Sequence, residues 1–135
     1  MARALYISVA GEGHINPTLA LVSELVKRGD QIVFYSSDGF ENKIKSTGAE
    51  FRPVDREAQK KLHESAALSY SQPKEYMLRF LGALEMITDS ILDDISGEAY
   101  DYLLYDAQTL PGIWVACQRK LLSVAAWTTF AYSSD

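Results

Sequence analysis

The sequence contains a single cysteine in 135 residues, so no disulfide can form within the chain. Cys117 follows Trp114-Val115-Ala116 in an apolar helical context, which favours a small buried thiol over a nucleophile. The sequence also has no apolar run approaching the roughly 18 residues that a membrane-spanning helix needs. These features predict a protein of the reducing cytoplasm that has no membrane partner.

Basic residues are few and dispersed. The chain carries 13 Lys and Arg against 18 Asp and Glu, a net charge of −5, and pairs such as Lys60-Lys61 are no longer than dipeptides. Because a phosphate backbone requires clustered positive charge, we expect no nucleic-acid partner. A Walker phosphate loop, a Cys/His ligand spacing and an Asp-x-Asp pair are also absent from the sequence. We therefore expect no metal and no bound cofactor.

Apolar runs that are typical of buried strands alternate with helical patterns along the chain. Asn16 is predicted to cap the first helix with Pro17 in its first turn, and Gly29 to end it. A long helix is predicted at 73–95, with an apolar stripe made of Met77, Phe80, Leu84, Ile87, Ile91 and Ile95. Strands are predicted at 4–9, 31–36, 50–54, 102–105 and 122–127, and helices at 16–28, 40–47, 57–65, 73–95 and 110–120.

This alternation predicts an α/β fold, a Rossmann-like doubly wound parallel sheet of about five strands in the order 3-2-1-4-5. The order reverses between strands 1 and 4, and ligands of such sheets bind beyond the carboxyl ends of the strands at that reversal. The loops after strands 1 and 4 are therefore the expected site of function.

Each of these two loops carries one residue suited to acid–base chemistry. His14 follows strand 1 and Asp106 follows strand 4, so neighbouring strand ends would bring them together. A carboxylate that accepts from Nδ1–H would leave Nε2 free to take a proton from a bound hydroxyl. The other interpretation is structural: His14 would begin a helix and Asp106 would cap one. The second histidine, His63, is expected on the surface.

Gly11-x-Gly13 also allows a dinucleotide-binding interpretation, with Asp38 binding a ribose. The third glycine of that pattern would fall at Asn16, and a helix that begins there would not hold a pyrophosphate in the usual way. Asp38 is instead predicted to cap the helix that follows it.

Three segments resemble the family 1 glycosyltransferases, particularly the bacterial macrolide-type UDP-glycosyltransferases. They read GEGHINPTLALVSELVKRGDQIVFYSS, YLLYDAQTLPGIWVAC and AAWTTFAYSSD. The match covers essentially the whole chain in order, and residues 55–90 between the segments are its variable part. The resemblance implies a GT-B enzyme with two Rossmann-like domains. The N-terminal domain would bind the acceptor and the C-terminal domain the UDP-sugar, with inverting transfer to a small-molecule hydroxyl on a macrolide, flavonoid or similar compound.

The resemblance also implies roles for individual residues. His14 matches the catalytic base and Asp106 its orienting partner. The sequence departs from the family's pattern at two positions. Glu12, which precedes Gly13, is a carboxylate that we expect to point to solvent. Ser123 stands where the family usually has a proline. The donor-binding positions would be Gly13, Asn16, Thr128 and Thr129, and the walls of the acceptor pocket Tyr76, Phe80 and Trp114.

The family's His/Gly-rich donor-binding motif is not found in these 135 residues. We therefore expect residues 1–135 to form an incomplete N-terminal acceptor-binding domain that needs a donor-binding domain, in cis or in trans, and is inactive alone. The chain would then be a truncated gene product, a fragment or half of a split enzyme. The alternative is a non-catalytic Rossmann- or flavodoxin-like module that binds a nucleotide or cofactor.

Overall fold

The computed structural model describes residues 1–9 and 11–128, which build a five-stranded parallel sheet in the order β3-β2-β1-β4-β5. The predicted fold class and strand order are confirmed. A short 3₁₀ turn at Asp38–Phe40 precedes the second α-helix. The elements in chain order are β1 (Arg3–Ile7), α1 (Glu12–Lys27), β2 (Gln31–Ser36), α2 (Glu41–Lys45), β3 (Glu50–Pro53), α3 (Arg56–Ala66), α4 (Pro73–Asp94), β4 (Tyr102–Asp106), α5 (Leu110–Arg119) and β5 (Leu122–Ala126).

Two apolar clusters lie on opposite faces of the sheet, because successive side chains of a strand point to opposite sides. The cluster beneath α1 and α2 includes Tyr6, Ile15, Val22, Phe34 and Ile44. The other cluster, beneath α3, α4 and α5, includes Leu5, Ile7, Ala58, Ile87, Ile91, Leu103 and Val115. Helices therefore cover both faces, as in a doubly wound fold.

The first helix ends as the sequence predicts. Gly29 takes the left-handed conformation with φ of 102°. Its N–H donates to the carbonyl of Val26, and the N–H of Asp30 donates to the carbonyl of Leu25. This pair of bonds is the Schellman arrangement, which favours glycine because glycine has no Cβ.

The predicted apolar stripe of α4 is buried only in its C-terminal half. Ile87 and Ile91 are at most 1% exposed, whereas Met77 is 49% exposed. A helix of 22 residues is roughly 33 Å long, about twice the length of the five-residue strands it packs on, so its first turns extend past the sheet. Within the described residues, no helix has the length and hydropathy required to cross a membrane.

The prediction of a buried thiol at Cys117 is wrong, because this side chain is exposed. Val115 and Ala116 of α5 are buried, and the next position along the helix turns away from them.

An ion-pair network holds the end of α4 and the following loop against the sheet. The Arg52 guanidinium of β3 donates to Glu98 at 2.9 Å and to Asp94 at 3.1 Å. Arg3 of β1 donates to Glu98 at 2.5 Å. The hydrogen bonds from Arg52 and from the Tyr100 hydroxyl lower the pKa of Glu98 from 4.5 to about 2. Glu98 therefore contributes stability in its ionised form.

Candidate active site

His14 and Asp106 meet at the carboxyl end of the sheet. The strands β1 and β4 are parallel neighbours, with Ile7 paired to Tyr105, so Asp106 lies one residue beyond the end of β1. His14 lies in the first turn of α1, which follows β1. Its Nδ1 is 2.6 Å from Oδ2 of Asp106. The predicted pair is thus formed at the predicted reversal of strand order.

The start of α1 differs from the prediction. The helix begins at Glu12, with Gly11 as its N-cap, so Asn16 does not cap it and Pro17 lies inside it. Proline at this position leaves only the carbonyl of Gly13 without its helical N–H partner. As a result His14 is carried by a helix instead of a loop, and its backbone N–H donates to the carbonyl of Gly11 at 3.0 Å.

Because α1 begins at Glu12, a late helix start no longer argues against a pyrophosphate at its N-terminus. Two other positions of the dinucleotide-binding pattern, the third glycine and the ribose-binding acid, disfavour such a site. Asn16 occupies the position of the third glycine, and Asp38 is engaged by the Arg56 guanidinium at 2.8 Å. Asp38 makes no side-chain cap to the helix that follows, so the prediction that it would cap that helix is wrong.

Asp106 is fully buried and accepts several hydrogen bonds. Oδ1 accepts from the backbone N–H of Gln108 at 2.8 Å, while Oδ2 faces His14. The helix α5 begins at Leu110 with Thr109 as its N-cap, so Asp106 does not cap it. The structural interpretation of Asp106 is therefore wrong, although His14 does lie at a helix start.

The imidazole tautomer follows from these contacts. An ionised carboxylate can only accept, so the proton between the two side chains belongs to Nδ1 of His14. Both hydrogen bonds that join the ring to described residues go to Nδ1. The side chain of His14 is 22% exposed. The ring is therefore neither sealed in the core nor free in solvent, and Nε2 makes no hydrogen bond to the described residues.

Thr128 contacts both members of the pair. Its Oγ1 is 3.0 Å from Nδ1 of His14 and 3.2 Å from Oδ2 of Asp106. The contact joins residues far apart in the chain, and no motif in the sequence indicated it. Thr129, the other predicted hydroxyl residue, lies outside the described residues.

Two predicted donor-binding positions lie in the first turns of α1. A Cβ added at Gly13 would meet nothing within 4 Å among the described residues, so packing there does not require a glycine. Oδ1 of Asn16 accepts from the Lys43 ammonium at 3.2 Å, and Glu12 accepts from the same ammonium at 3.1 Å. The side chain of Glu12 is 72% exposed, so it points to solvent as expected.

The three aromatic residues predicted to form the acceptor pocket lie on α4 and α5. The rings of Tyr76 and Phe80 are neighbours, with centroids 5.5 Å apart. Trp114 lines a groove between the two helices together with Leu81 and Gln118. Neither His14 nor Asp106 lines that groove. The contact of the three aromatic residues with an acceptor stays a prediction.

Three buried hydroxyls near the strand ends were not predicted. The hydroxyls of Tyr6, Ser8 and Ser36 have no hydrogen-bond partner among the described residues. The Tyr6 ring stacks on Phe34 at 4.5 Å. Burial raises the pKa of Tyr6 to about 12; the nearby Thr18 hydroxyl, which donates to the carbonyl of Ile15, opposes the rise, and Asp106 adds to it. The apolar pattern of the strands predicts that these residues are buried, but it does not indicate whether their hydroxyls find hydrogen-bond partners.

Comparison with known proteins identifies the family of this chain. Residues 7–97 match the glycosyltransferase family 28 N-terminal domain. The chain belongs to this family. The resemblance to GT-B glycosyltransferases of the macrolide type is confirmed. The matching family model carries the number 28, whereas the sequence analysis named family 1.

This glycosyltransferase domain is similar to several named proteins. It is 32% identical over 136 residues to YojK of Bacillus subtilis (strain 168), an uncharacterized UDP-glucosyltransferase, across 100% of this chain and 34% of that protein. It is 28% identical over 117 residues to the oleandomycin glycosyltransferase of Streptomyces antibioticus, across 82% of this chain and 25% of that protein. The glycosyltransferase chain thus spans about a third or less of the length of these relatives.

Solved structures support the fold of this glycosyltransferase domain. The glycosyltransferase of kitacinnamycin superposes with a TM-score of 0.77 at 24% identity, covering 97% of this chain and 31% of that one. The calicheamicin glycosyltransferase CalG4 gives a TM-score of 0.74 at 22% identity, covering 93% and 32%. At this identity the likeness concerns the fold alone, a Rossmann-like α/β domain.

Proposed function

We propose that this chain supplies the general base and the acceptor-binding side of an inverting glycosyltransferase. The enzyme would move a sugar from a UDP-sugar to a hydroxyl of a small molecule such as a macrolide or flavonoid. The observation that supports this proposal is the 2.6 Å contact between Nδ1 of His14 and the buried carboxylate of Asp106. With Nδ1 engaged by Asp106, Nε2 would be the nitrogen that takes the proton of an incoming hydroxyl.

The proposed reaction is a single displacement. Nε2 of His14 takes the proton of the acceptor hydroxyl as its oxygen bonds to the anomeric carbon. The bond from that carbon to the nucleoside diphosphate breaks, the diphosphate leaves with the bonding electrons, and the configuration inverts. Asp106 stabilises the imidazolium that forms. Such general-base assistance is typically worth about 10²–10⁴ in rate.

The donor and acceptor classes are proposed from the names of relatives. YojK is named as a UDP-glucosyltransferase, and the solved glycosyltransferases SsfS6 and VinC are described in complex with thymidine diphosphate. The oleandomycin enzyme is named for a macrolide acceptor. A donor-binding domain, in cis or in trans, would complete the site, because catalysis requires both substrates held in reacting geometry.

The experiment joins residues 1–135 to the remaining two thirds of YojK and measures transfer from UDP-glucose to a phenolic acceptor. We expect turnover, a loss of about 10²–10⁴-fold in His14→Ala, and little change in His63→Ala, which removes the other histidine. Unchanged turnover in His14→Ala would rule out the assigned base. A chain that purifies with a bound flavin would instead favour the non-catalytic cofactor-binding module.

A further inference from the structure

Thr128 lies just beyond the C-terminal end of β5, where the chain passes the carboxyl end of β4. The backbone N–H of Ala107 donates to the carbonyl of Ala126 at 2.9 Å and holds the two strand ends together. This places the Thr128 hydroxyl 3.0 Å from Nδ1 of His14 and 3.2 Å from Oδ2 of Asp106. One hydroxyl therefore contacts the two atoms that share the dyad's proton.

The direction of each bond is determined by the carboxylate. Oδ2 of Asp106 can only accept, so the hydroxyl hydrogen of Thr128 is donated to it. The Nδ1 of His14 carries its own hydrogen, so towards that atom the Thr128 oxygen can only accept. The hydroxyl is thus a second acceptor for Nδ1–H and a second donor to Oδ2.

We propose that Thr128 is a positioning residue of the dyad, a role that rests on the function proposed above and replaces the donor contact expected from the sequence. Its hydroxyl holds the imidazole with the hydrogen on Nδ1 and holds the carboxylate oriented towards the ring. Through these two bonds it keeps Nε2 as the free, proton-accepting nitrogen.

Because the Asp106 carboxylate is buried, it depends on the hydrogen bond from the Thr128 hydroxyl. Asp106 is 0% exposed, so water cannot replace a lost donor, and its three donors from the described residues are Gln108 N–H, Nδ1–H and the Thr128 hydroxyl. A buried carboxylate that loses one donor is stabilised less and is freer to rotate. The ring would then lose part of the restraint on its tautomer.

The first test compares Thr128→Val with Thr128→Ser in the protein joined to the YojK donor-binding part. Valine keeps the shape and removes the hydroxyl, while serine keeps the hydroxyl and removes the methyl group. We expect kcat to fall about tenfold in Thr128→Val with the KM for UDP-glucose unchanged, and serine to lose less. A raised donor KM at unchanged kcat would overturn the proposal in favour of a donor contact.

The second test needs no activity and uses the 135-residue chain. Nitrogen-15 spectra of the imidazole rings report which ring nitrogen carries hydrogen, and His63 serves as an internal reference. We expect His14 to carry its hydrogen on Nδ1, a smaller Nδ1–H fraction in Thr128→Val, and the parent fraction in Thr128→Ser. An identical His14 spectrum in Thr128→Val would overturn the proposal.

The two tests separate this inference from the proposed function. If His14→Ala retains full transfer, the assignment of the base fails, and the ring spectra still report whether Thr128 orients the pair. If His14→Ala is inactive while Thr128→Val behaves as the parent in both tests, only the role of Thr128 fails.

Discussion

Gly112 of α5 packs directly on the side chain of Tyr105 of β4. A Cβ added to Gly112 would lie 2.3 Å from Cβ of Tyr105 and 2.8 Å from Cγ. Tyr105 immediately precedes Asp106, so this contact sets how closely α5 approaches the strand that carries the carboxylate. The close approach is possible only without a side chain at position 112.

The substitution Gly112→Ala should therefore destabilise the chain. The new methyl group would push α5 away from β4, at a cost of about 1–3 kcal/mol in the free energy of unfolding, measured by urea denaturation. Gly82→Ala is the matched control, because position 82 is in the middle of α4 and a Cβ there meets nothing within 4 Å. It should stabilise the chain by about 0.5–1 kcal/mol. A neutral Gly112→Ala would contradict the close packing.

Glu98 should make stability depend on pH in the acid range. Its pKa is lowered in the folded chain from 4.5 to about 2, so its contribution is fully present above about pH 5 and is lost as the pH falls towards 2. Glu98→Gln should thus have a lower Tm than the parent at about pH 6, and the difference should shrink between pH 4.5 and 2. A difference in Tm that stays constant over this range would show that the ionised form contributes nothing.

Asp55 should stabilise the start of α3. It is the N-cap residue, and Oδ1 accepts from the backbone N–H of Ala58 at 2.7 Å. Asp55→Ala should lower the free energy of unfolding by about 1 kcal/mol, whereas Asp55→Ser, which keeps a capping oxygen, should lose less. Urea titrations of the two variants test this. Equal losses would mean that the cap is not the source of the effect.

Asp106→Asn should impair transfer in the joined protein while preserving the shape of the site. In each of the three bonds that described residues make to the carboxylate, Asp106 is the acceptor, whereas an amide offers only one accepting oxygen. If that oxygen faces the N–H of Gln108, the amide NH₂ faces Nδ1 and drives the ring hydrogen to Nε2. We expect kcat to fall about 10²–10⁴-fold, together with a change of ring tautomer in nitrogen-15 spectra.

The prediction of the strands succeeded because a strand buried on both faces has to be nearly continuous in apolar residues, as β1 and β2 are. The prediction of the start of α1 failed. Asn16 and Pro17 are common at helix starts, but these are local preferences, and the packing of the buried Ile15 and Val22 on the sheet outweighs them. The stripe on α4 was correct in period and wrong in extent, since periodicity does not report where the sheet ends.

The amino-acid sequence by itself determined the order of the strands, and with it the reversal that places His14 beside Asp106. Alternating apolar runs and the right-handed crossover leave little freedom in that order. Only the tertiary structure decided that the Thr128 hydroxyl completes this pair and that Asn16 is engaged by Lys43. Such contacts depend on ångström-scale packing of segments far apart in the chain, and no local pattern of residues encodes those distances.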